Sequence, residues 1–484
     1  MILVQDGGFC DYEMNIFMRL FFENDADVQV FTNLEERGGG FFAYCQINYR
    51  GAAYFGEFAF GTDLVRADAN PDRLKSIAVT RAFVTAAGRI KPEIGLPWGV
   101  MCGVRPAKIV TKLKDFCSMT AREARAYIER VYGATPEKCD LAVRVSENER
   151  AILAGIKKRS VSLYIGIPFC PTRCLYCSFI SSDMRITAKY IDDFVTKLCV
   201  ELEKTAEIVK NLSLSVENIY IGGGTPTSLS EIQLGTLLNK IKSLFYVTKL
   251  KEFTLEAGRP DTITREKLEL ARACGVGRIS INPQTTCDET LARIGRRHST
   301  AMFFDAYKTA REVGFDVINC DLIAGLPGES AEIFRKSIDE VAALEPENVT
   351  IHSMCVKRAA RFAKENSRLA EYAVMNEMLS YAQKSLSARG YEPYYMYRQK
   401  NISGNLENVG YSLPGAFSFY NVNIMEEAQT IIAMGGGATT KLVCRDGGIS
   451  RIFNFKDPAE YIKNFDEILR RKEETARIIA EKCL

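Results

Sequence analysis

Ser162-Leu-Tyr164-Ile-Gly166-Ile-Pro-Phe-Cys170-Pro-Thr-Arg-Cys174-Leu-Tyr176-Cys177 is the stretch from which the rest of the chain is read. It opens as an apolar, β-branched run of strand length and passes at Pro168 into a loop with three cysteines. Their spacing is C-x3-C-x2-C. Three thiolates on one short loop can hold three irons of a [4Fe–4S] cluster and leave the fourth iron without a protein ligand, which makes that iron a place for chemistry. At this spacing the expected occupant is S-adenosylmethionine (SAM), chelating through its amino and carboxylate groups. An electron from the cluster then splits the sulfonium and releases a 5′-deoxyadenosyl radical, while the protein positions that chemistry and shields it from water. A structural zinc site is the competing reading, but it normally takes four Cys or His ligands. The nearest further cysteine is Cys199, and His298 and His352 are the only histidines. Three buried thiols without any metal are the remaining alternative.

Outward from this loop a period repeats. Strands are predicted at Ser162–Ile167, Asn218–Ile221, Glu252–Leu255, Arg278–Ile281, Val317–Leu322 and Val349–His352. Amphipathic stretches of helical length follow them, at Ala188–Val209, Glu231–Leu244, Thr264–Ala273, Ala301–Val313, Ala331–Leu344 and Leu369–Ala388. Strands alternating with helices make βαβ units and a parallel sheet, so the fold class is α/β, and six units predict a partial (β/α)6 barrel. In such barrels the site lies at the C-terminal ends of the strands. The unusual elements fall there in succession: Cys170, Gly222-Gly223-Gly224-Thr225-Pro226, Glu256, Asn282-Pro283-Gln284, Asp321 before Gly325-Leu326-Pro327-Gly328, and Cys355.

Residues 1–155 lack this period and read as a separate α+β domain, with strands at Val28–Thr32, Phe41–Tyr49 and Gly51–Phe60 and helices at Asp72–Ala87 and Arg122–Tyr132. Residues 156–390 form the barrel, and 391–484 a C-terminal α+β extension that covers the substrate. There Tyr391, Tyr394, Tyr395 and Tyr397 crowd together ahead of Arg398 and Lys400. Aromatics with a basic tail suit a flat ring bearing carboxylates; a strand packed on the barrel explains the tyrosines equally well. The chain has 484 residues, 47% hydrophobic and 25% charged, and a net charge of +3, a globular composition with too little positive charge to argue for nucleic acid. No apolar run reaches the length of a membrane span, and the N-terminus lacks the features of a signal peptide. Fifteen irregularly spaced cysteines then read as thiols of a reducing cytoplasm.

The ordered set Tyr164-Ile-Gly-Ile-Pro-Phe-Cys170, Gly222-Gly-Gly-Thr-Pro-Thr227, Asn282-Pro-Gln-Thr285 and Asp321-Leu-Ile-Ala-Gly-Leu-Pro-Gly-Glu329 resembles the radical SAM superfamily. More narrowly, it is similar to the oxygen-independent coproporphyrinogen III oxidase group, over about residues 160–445. Pro97-Trp98-Gly99 through Gly103-Val104-Arg105-Pro106, with the long N-terminal extension, resembles the HemZ-type coproporphyrinogen dehydrogenase branch. The resemblance implies a radical SAM barrel with Cys170, Cys174 and Cys177 as cluster ligands. It implies Tyr164 as the aromatic beside SAM and Tyr176 as the aromatic on the adenosine. Gly223, Gly224 and Thr225 would meet the amino-acid end of SAM, where glycine lets backbone approach a charged ligand. Glu256, Gln284, Arg296 and Asp321 match polar SAM-binding positions, and Cys355 and Thr439 match two further ones; no catalytic residue follows from it.

The implied reaction takes a hydrogen atom from a propionate, loses CO2 and forms a vinyl group, turning coproporphyrinogen III into protoporphyrinogen IX in porphyrin and haem biosynthesis. A tetrapyrrole substrate and a low-potential donor such as flavodoxin or ferredoxin are implied with it. The alternatives are a haem- or tetrapyrrole-binding trafficking protein of the haem chaperone kind and a radical SAM methyltransferase acting on haem. Three positions depart from the relatives. The oxidases' further cysteine is Phe179 here, their histidine two residues after the matched tyrosine is Gly166, and the histidine of the chaperones' His-Asn-x-x-Tyr segment is Glu407.

Overall fold

The computed structural model describes residues 2–5, 11–23, 25, 27–61, 71–103, 105–177, 182–355, 372–399 and 406–484. Phe179, Val104 and Lys400 lie outside them. The chain forms two compact units. One comprises Met1–Glu147 with Glu371–Asn376 and Met396–Glu407; the other comprises Asn148–Ala370, Glu377–Tyr395 and Asn408–Leu484.

In the first unit, β1 (Ile2–Gln5) runs parallel to β2 (Val28–Arg37), and β3 (Gly40–Tyr49) and β4 (Ala52–Phe60) continue the sheet antiparallel. Alternate residues of β2 are buried, as a sheet with one covered face requires. The helices are α1 (Asp11–Phe22), α2 (Pro71–Ile90), α3 (Pro106–Phe116), α4 (Ala121–Tyr132) and α5 (Pro136–Leu153). Helix α2 packs so close to β4 that a Cβ on Gly56 would lie 2.1 Å from the Ala82 carbonyl oxygen. Phe21, Phe22 and Phe83 fill the space between α1 and α2. A Thr120–Glu123 capping box starts α4, and Gly133 in the left-handed region ends it.

The second unit is built on six parallel strands in sequence order, β5 (Ser160–Ile167), β8 (Ser215–Gly223), β9 (Glu252–Glu256), β10 (Arg278–Ser280), β11 (Val317–Ala324) and β12 (Asn348–Ser353). Between β5 and β8 lies a two-residue pair, β6 (Phe169–Cys170) with β7 (Ser182–Asp183). The connecting helices are α6 (Ile191–Asn211), α7 (Glu231–Leu244), α8 (Arg265–Ala273), α9 (Thr300–Val313) and α10 (Ala331–Ala342), and α11 (Tyr372–Ala388) follows β12. Ser230, Thr264, Ser299 and Ser330 each cap one of these helices through a side-chain oxygen. These strands and helices agree with the sequence-predicted ones to within a few residues.

The sheet extends beyond the six strands. The C-terminal part supplies β13 (Glu392–Tyr397), β14 (Asn408–Ser412), β15 (Thr430–Gly435), β16 (Thr439–Val443) and β17 (Ile449–Phe453). The order across it is β13-β14-β12-β11-β10-β9-β8-β5-β15-β16-β17. Thus β14 closes one edge antiparallel to β12, while β15 adds a seventh parallel strand against β5, Ile432 facing Leu163 and Gly435 facing Gly166. The strands β14 and β15 are therefore part of the same sheet, because they complete the backbone bonding of both edges of the six-stranded core.

The N-terminal ends of the strands are held by α12 (Phe419–Glu426). Ser418 Oγ and the Phe419 amide both donate to Glu252, and Arg278 donates to the Ala416 and Phe417 carbonyls. On the flank, α13 (Pro458–Lys463) and α14 (Phe465–Ile478) cover α6. Glu201 of α6 is fully buried there. It receives bonds from Tyr461 Oη at 2.7 Å, Asn454 Nδ2 at 2.8 Å and the Gly435 amide at 2.8 Å, and pairs with the buried Lys472 at 3.1 Å.

Candidate functional site

The cysteine loop is fixed from several sides. Gly224 and Thr225 amides donate to the Ile167 and Phe169 carbonyls, at 2.7 and 2.8 Å, and Thr225 Oγ1 lies 3.4 Å from Cys170 Sγ. The Leu175 amide donates to the Ile294 carbonyl at 3.0 Å, and Leu175 and Tyr176 pack on Leu291, Ile294, Ile323, Leu326 and Met354. Cys170 and Cys174 are buried and Cys177 is half-buried. Among the described residues no three His, Cys, Asp or Glu side chains converge as ligands of a single ion. Three thiols on one short loop fit a group that takes one thiolate per iron.

Arg296 touches the loop from the segment between the short helix Asp288–Arg293 and α9. It bonds Tyr176, donates to the Asn282 carbonyl at 2.7 Å and to the Gly258 carbonyl at 3.3 Å, and has the Cys174 thiol in its field. His298 beside it is buried and neutral, its pKa lowered to about 3 by burial and by the Arg296 charge.

A second group gathers at the C-terminal strand ends of β8, β9, β11 and β12. Tyr220 donates to Glu256, the Gly223 amide bonds the same carboxylate, and His352 Nε2 is 3.6 Å from Asp321 Oδ2. Asn319 Nδ2 donates to Asp321 at 2.8 Å. Burial pushes the Glu256 carboxyl up to about 7; the Tyr220 bond opposes this and the Asp321 charge adds to it. Burial also acts on Asp321, but the bonds from His352, Asn319 and Thr350 outweigh it and hold that carboxyl below its ordinary value. The two neighbouring carboxylates are thus pushed in opposite directions, Glu256 toward the neutral form and Asp321 toward the ionised one. Gln284 joins them through the backbone: its amide donates to the Asp321 carbonyl at 2.9 Å, and its φ of 68° places a non-glycine residue in the left-handed region. Such strain is held only where the surroundings over-determine it.

Tyr164 lies on the same side, stacked with Tyr220 at 6.2 Å and Tyr420 at 6.1 Å. Cys170, Cys174, Tyr176, Thr225 and Arg296 therefore meet around the loop, and Tyr164, Gly223, Glu256, Gln284 and Asp321 around the carboxylates. Arg296 links the two through Gly258 and Asn282, whose Oδ1 accepts from the Asp321 amide at 3.3 Å. Cys355 follows the end of β12, and Thr439 opens β16 on the far side of β5 from β8. Tyr220, Tyr420 and His352 are absent from the sequence-predicted set, and Asn282 enters it only within the strand-end segment Asn282-Pro283-Gln284. Strand alternation could have found Tyr220 and His352, two residues before Gly222 and at the end of the sixth strand; Tyr420 has no such signal.

Packing accounts for three features of the sequence. The close approach that requires glycine at 223 and 224 is to the loop backbone itself: a Cβ on Gly224 would lie 2.6 Å from the Phe169 carbonyl oxygen, and Gly223 has φ +110°. Gly166 has a similar cause. A Cβ there would lie 2.9 Å from the Gly436 carbonyl oxygen, so the turn after β15 takes the space that a histidine side chain would need. Arg398 of the tyrosine segment is also committed within the protein, whereas Lys400 lies outside the described residues. Tyr391, Tyr394, Tyr395 and Arg398 are all buried, Arg398 donates to the Met101 carbonyl at 2.7 Å and lies 5.8 Å over the Trp98 ring, and burial lowers its pKa to about 10. Glu407 is likewise committed, accepting from Trp98 Nε1 at 2.7 Å and pairing with the buried Lys138.

The Glu256 shift has a measurable sign. A carboxyl with pKa near 7 when folded and 4.5 when unfolded stabilises the fold below about pH 4.5, and this is lost as pH rises through 7. Glu256→Gln should therefore gain on wild type between pH 5 and pH 8, by on the order of 2 kcal/mol. Thermal unfolding at the two pH values measures it; an equal difference at both would contradict the burial assigned to Glu256.

The chain is similar to several known proteins. A family model described as the Radical SAM superfamily matches residues 164–341. The "Oxygen-independent coproporphyrinogen-III oxidase-like protein HemZ" of Bacillus subtilis is 41% identical over 391 residues, 80% of this chain and 78% of that protein. The "Heme chaperone HemW" of the same organism is 35% identical over 48% of this chain and 62% of its own length. The solved structure of coproporphyrinogen III oxidase (HemN) from Escherichia coli superposes with a TM-score of 0.53 at 23% identity, over 67% of this chain and 73% of that one, a likeness of fold. The chain belongs to the radical SAM superfamily, in the group that holds HemN, HemZ-like and HemW proteins.

Proposed function

We propose that the protein is a radical SAM oxidoreductase that converts coproporphyrinogen III to protoporphyrinogen IX without oxygen, as a cytoplasmic step of porphyrin and haem biosynthesis. The superfamily implies a [4Fe–4S] cluster and SAM. When bound, they would supply a 5′-deoxyadenosyl radical able to take hydrogen from a propionate. Cys170, Cys174 and Cys177 would hold the cluster. Arg296 and Tyr176 would brace its loop, and Tyr164, Thr225, Gln284 and the carboxylates of Glu256 and Asp321 would receive SAM, with Gly223 and Gly224 shaping the floor and Cys355 and Thr439 at the margins. Ionised Asp321 can accept two ribose hydroxyls, whereas Glu256, neutral below about pH 7, can also donate. A flavodoxin or ferredoxin would deliver the electron.

The observation that carries this reading is the convergence of the three-cysteine loop and the paired carboxylates at the C-terminal strand ends, in a chain 41% identical to a coproporphyrinogen-III oxidase-like protein. The alternative, a haem-binding trafficking protein, draws on the HemW similarity. Against it stands Glu407, which replaces the chaperones' histidine and is spent on Lys138 and Trp98. Anaerobic incubation of reconstituted protein with SAM, reductant, an electron acceptor and coproporphyrinogen III should yield a product lighter by two CO2 and four hydrogens. Stoichiometric haem binding without SAM cleavage would select the alternative, and a methylated haem would select a methyltransferase.

A further inference from the structure

Arg259 follows β9, three residues after Glu256, and is almost wholly buried, with a side-chain exposure of 3%. All three of its guanidinium nitrogens are engaged. Nη1 donates to the Thr172 carbonyl at 3.0 Å and to Thr172 Oγ1 at 2.9 Å; Nε and Nη2 grip Asp261 at 2.9 and 2.7 Å. Thr172 stands between Cys170 and Cys174 and is itself buried. Burial pushes the Asp261 carboxyl up, but the bonds and charge of Arg259 outweigh it and hold it ionised. Asp261 also lies in the field of Arg296, the residue that reaches Tyr176 and Cys174. The cysteine loop is thus held by two buried guanidiniums, one on Thr172 and one on Tyr176.

We infer that Arg259, oriented by Asp261, is a positioning residue for the metal loop: it sets the spacing of Cys170 and Cys174 and places a fixed positive charge beside the cluster. The inference rests on the reading of those cysteines as cluster ligands. Arg259 also ties the loop to the strand that carries Glu256, so the frame of the cluster and the carboxylate chamber are joined by one side chain. A lysine cannot replace it, because one ammonium group cannot hold two acceptors of Thr172 and both oxygens of Asp261 in a plane.

The test compares wild type, Arg259→Gln, Arg259→Lys and the milder Thr172→Val, which removes one acceptor and no charge. Each is reconstituted anaerobically, and iron loss to a chelator and the cluster's reduction potential by EPR-monitored titration are read, with apo-protein thermal unfolding as the folding control. Groups that orient metal ligands from behind are typically worth about 10–100-fold in metal retention. Arg259→Gln should lose iron at least about tenfold faster, at a more negative potential. Arg259→Lys should keep the potential near wild type while losing iron faster, and Thr172→Val should lose iron a few-fold faster at an unchanged potential. Wild-type iron retention and potential in Arg259→Gln would overturn the inference. So would a Thr172→Val variant that folds and loses iron no faster, should Arg259→Gln fail to fold. Iron retained by a chain lacking Cys170, Cys174 and Cys177 would instead overturn the ligand reading.

Discussion

Replacing Cys170, Cys174 and Cys177 together by alanine is expected to leave a folded chain without a [4Fe–4S] cluster. The loop's path does not depend on the thiols. It is set by the Thr225 and Leu175 amide bonds and by Leu175 and Tyr176 against their apolar neighbours. Metal binding, by contrast, needs thiolates, and no other residue near the loop has been assigned as a ligand. Cys117, Cys139 and Cys483 should be replaceable without loss of iron. Cys139 makes the contrast clear: it is buried in the first unit, donates to the Ala134 carbonyl, and burial pushes its thiol up to about 12, so it is a poor source of thiolate. Iron content and EPR on the two triple variants decide the matter; full iron in the first would sink the ligand assignment.

The largest effect on stability is expected at Glu201 and Lys472. Both are buried, and Glu201 collects Tyr461, Asn454, the Gly435 amide and Lys472 about one carboxylate. Removing one partner leaves the other charge without compensation, which typically costs about 3–5 kcal/mol. Glu201→Ala strands the Lys472 ammonium and frees a buried backbone amide at the turn above Gly166. Lys472→Met leaves Glu201 three neutral donors and should cost less. Replacing both by apolar residues should recover part of the loss, since a desolvated ion pair repays little of its own burial. Urea unfolding of the four proteins tests this; equal stability of Glu201→Ala and wild type would contradict it.

The six βα units were legible because parallel strands covered on both faces are written as short apolar runs, and the helices between them as amphipathic ones. The amphipathic stretch Glu231–Leu244 is a helix to the residue, and a Ser230–Gln233 capping box marks its start. Thr430–Gly435 has the same apolar character, but its partner is chosen by a pairing at long range that no local pattern encodes. The chemistry-bearing loops were legible through glycine, proline and cysteine. What they touch was less so. Arg398 beside four tyrosines has the composition of a carboxylate pocket, and only packing shows that it serves the Met101 carbonyl and Trp98 instead. Arginine is so seldom buried that composition argues for an exposed or ligand-bound group. Arg259 has the same ambiguity, since Gly258-Arg259-Pro260-Asp261 has the composition of an ordinary exposed turn.

The pairing of β15 with β5 carries a consequence for the order in which the molecule is made. A ribosome emits the strand that leads into the cysteines long before the strand that will shield its outer edge. Gln429, at the foot of β15, bonds Ser160 across 269 residues of chain. At ordinary elongation speeds that gap is roughly 15–50 s. Throughout it one side of β5 offers unsatisfied amides and carbonyls, the kind of template on which nascent chains associate wrongly. The cysteine loop therefore gains its final frame only after translation has passed it.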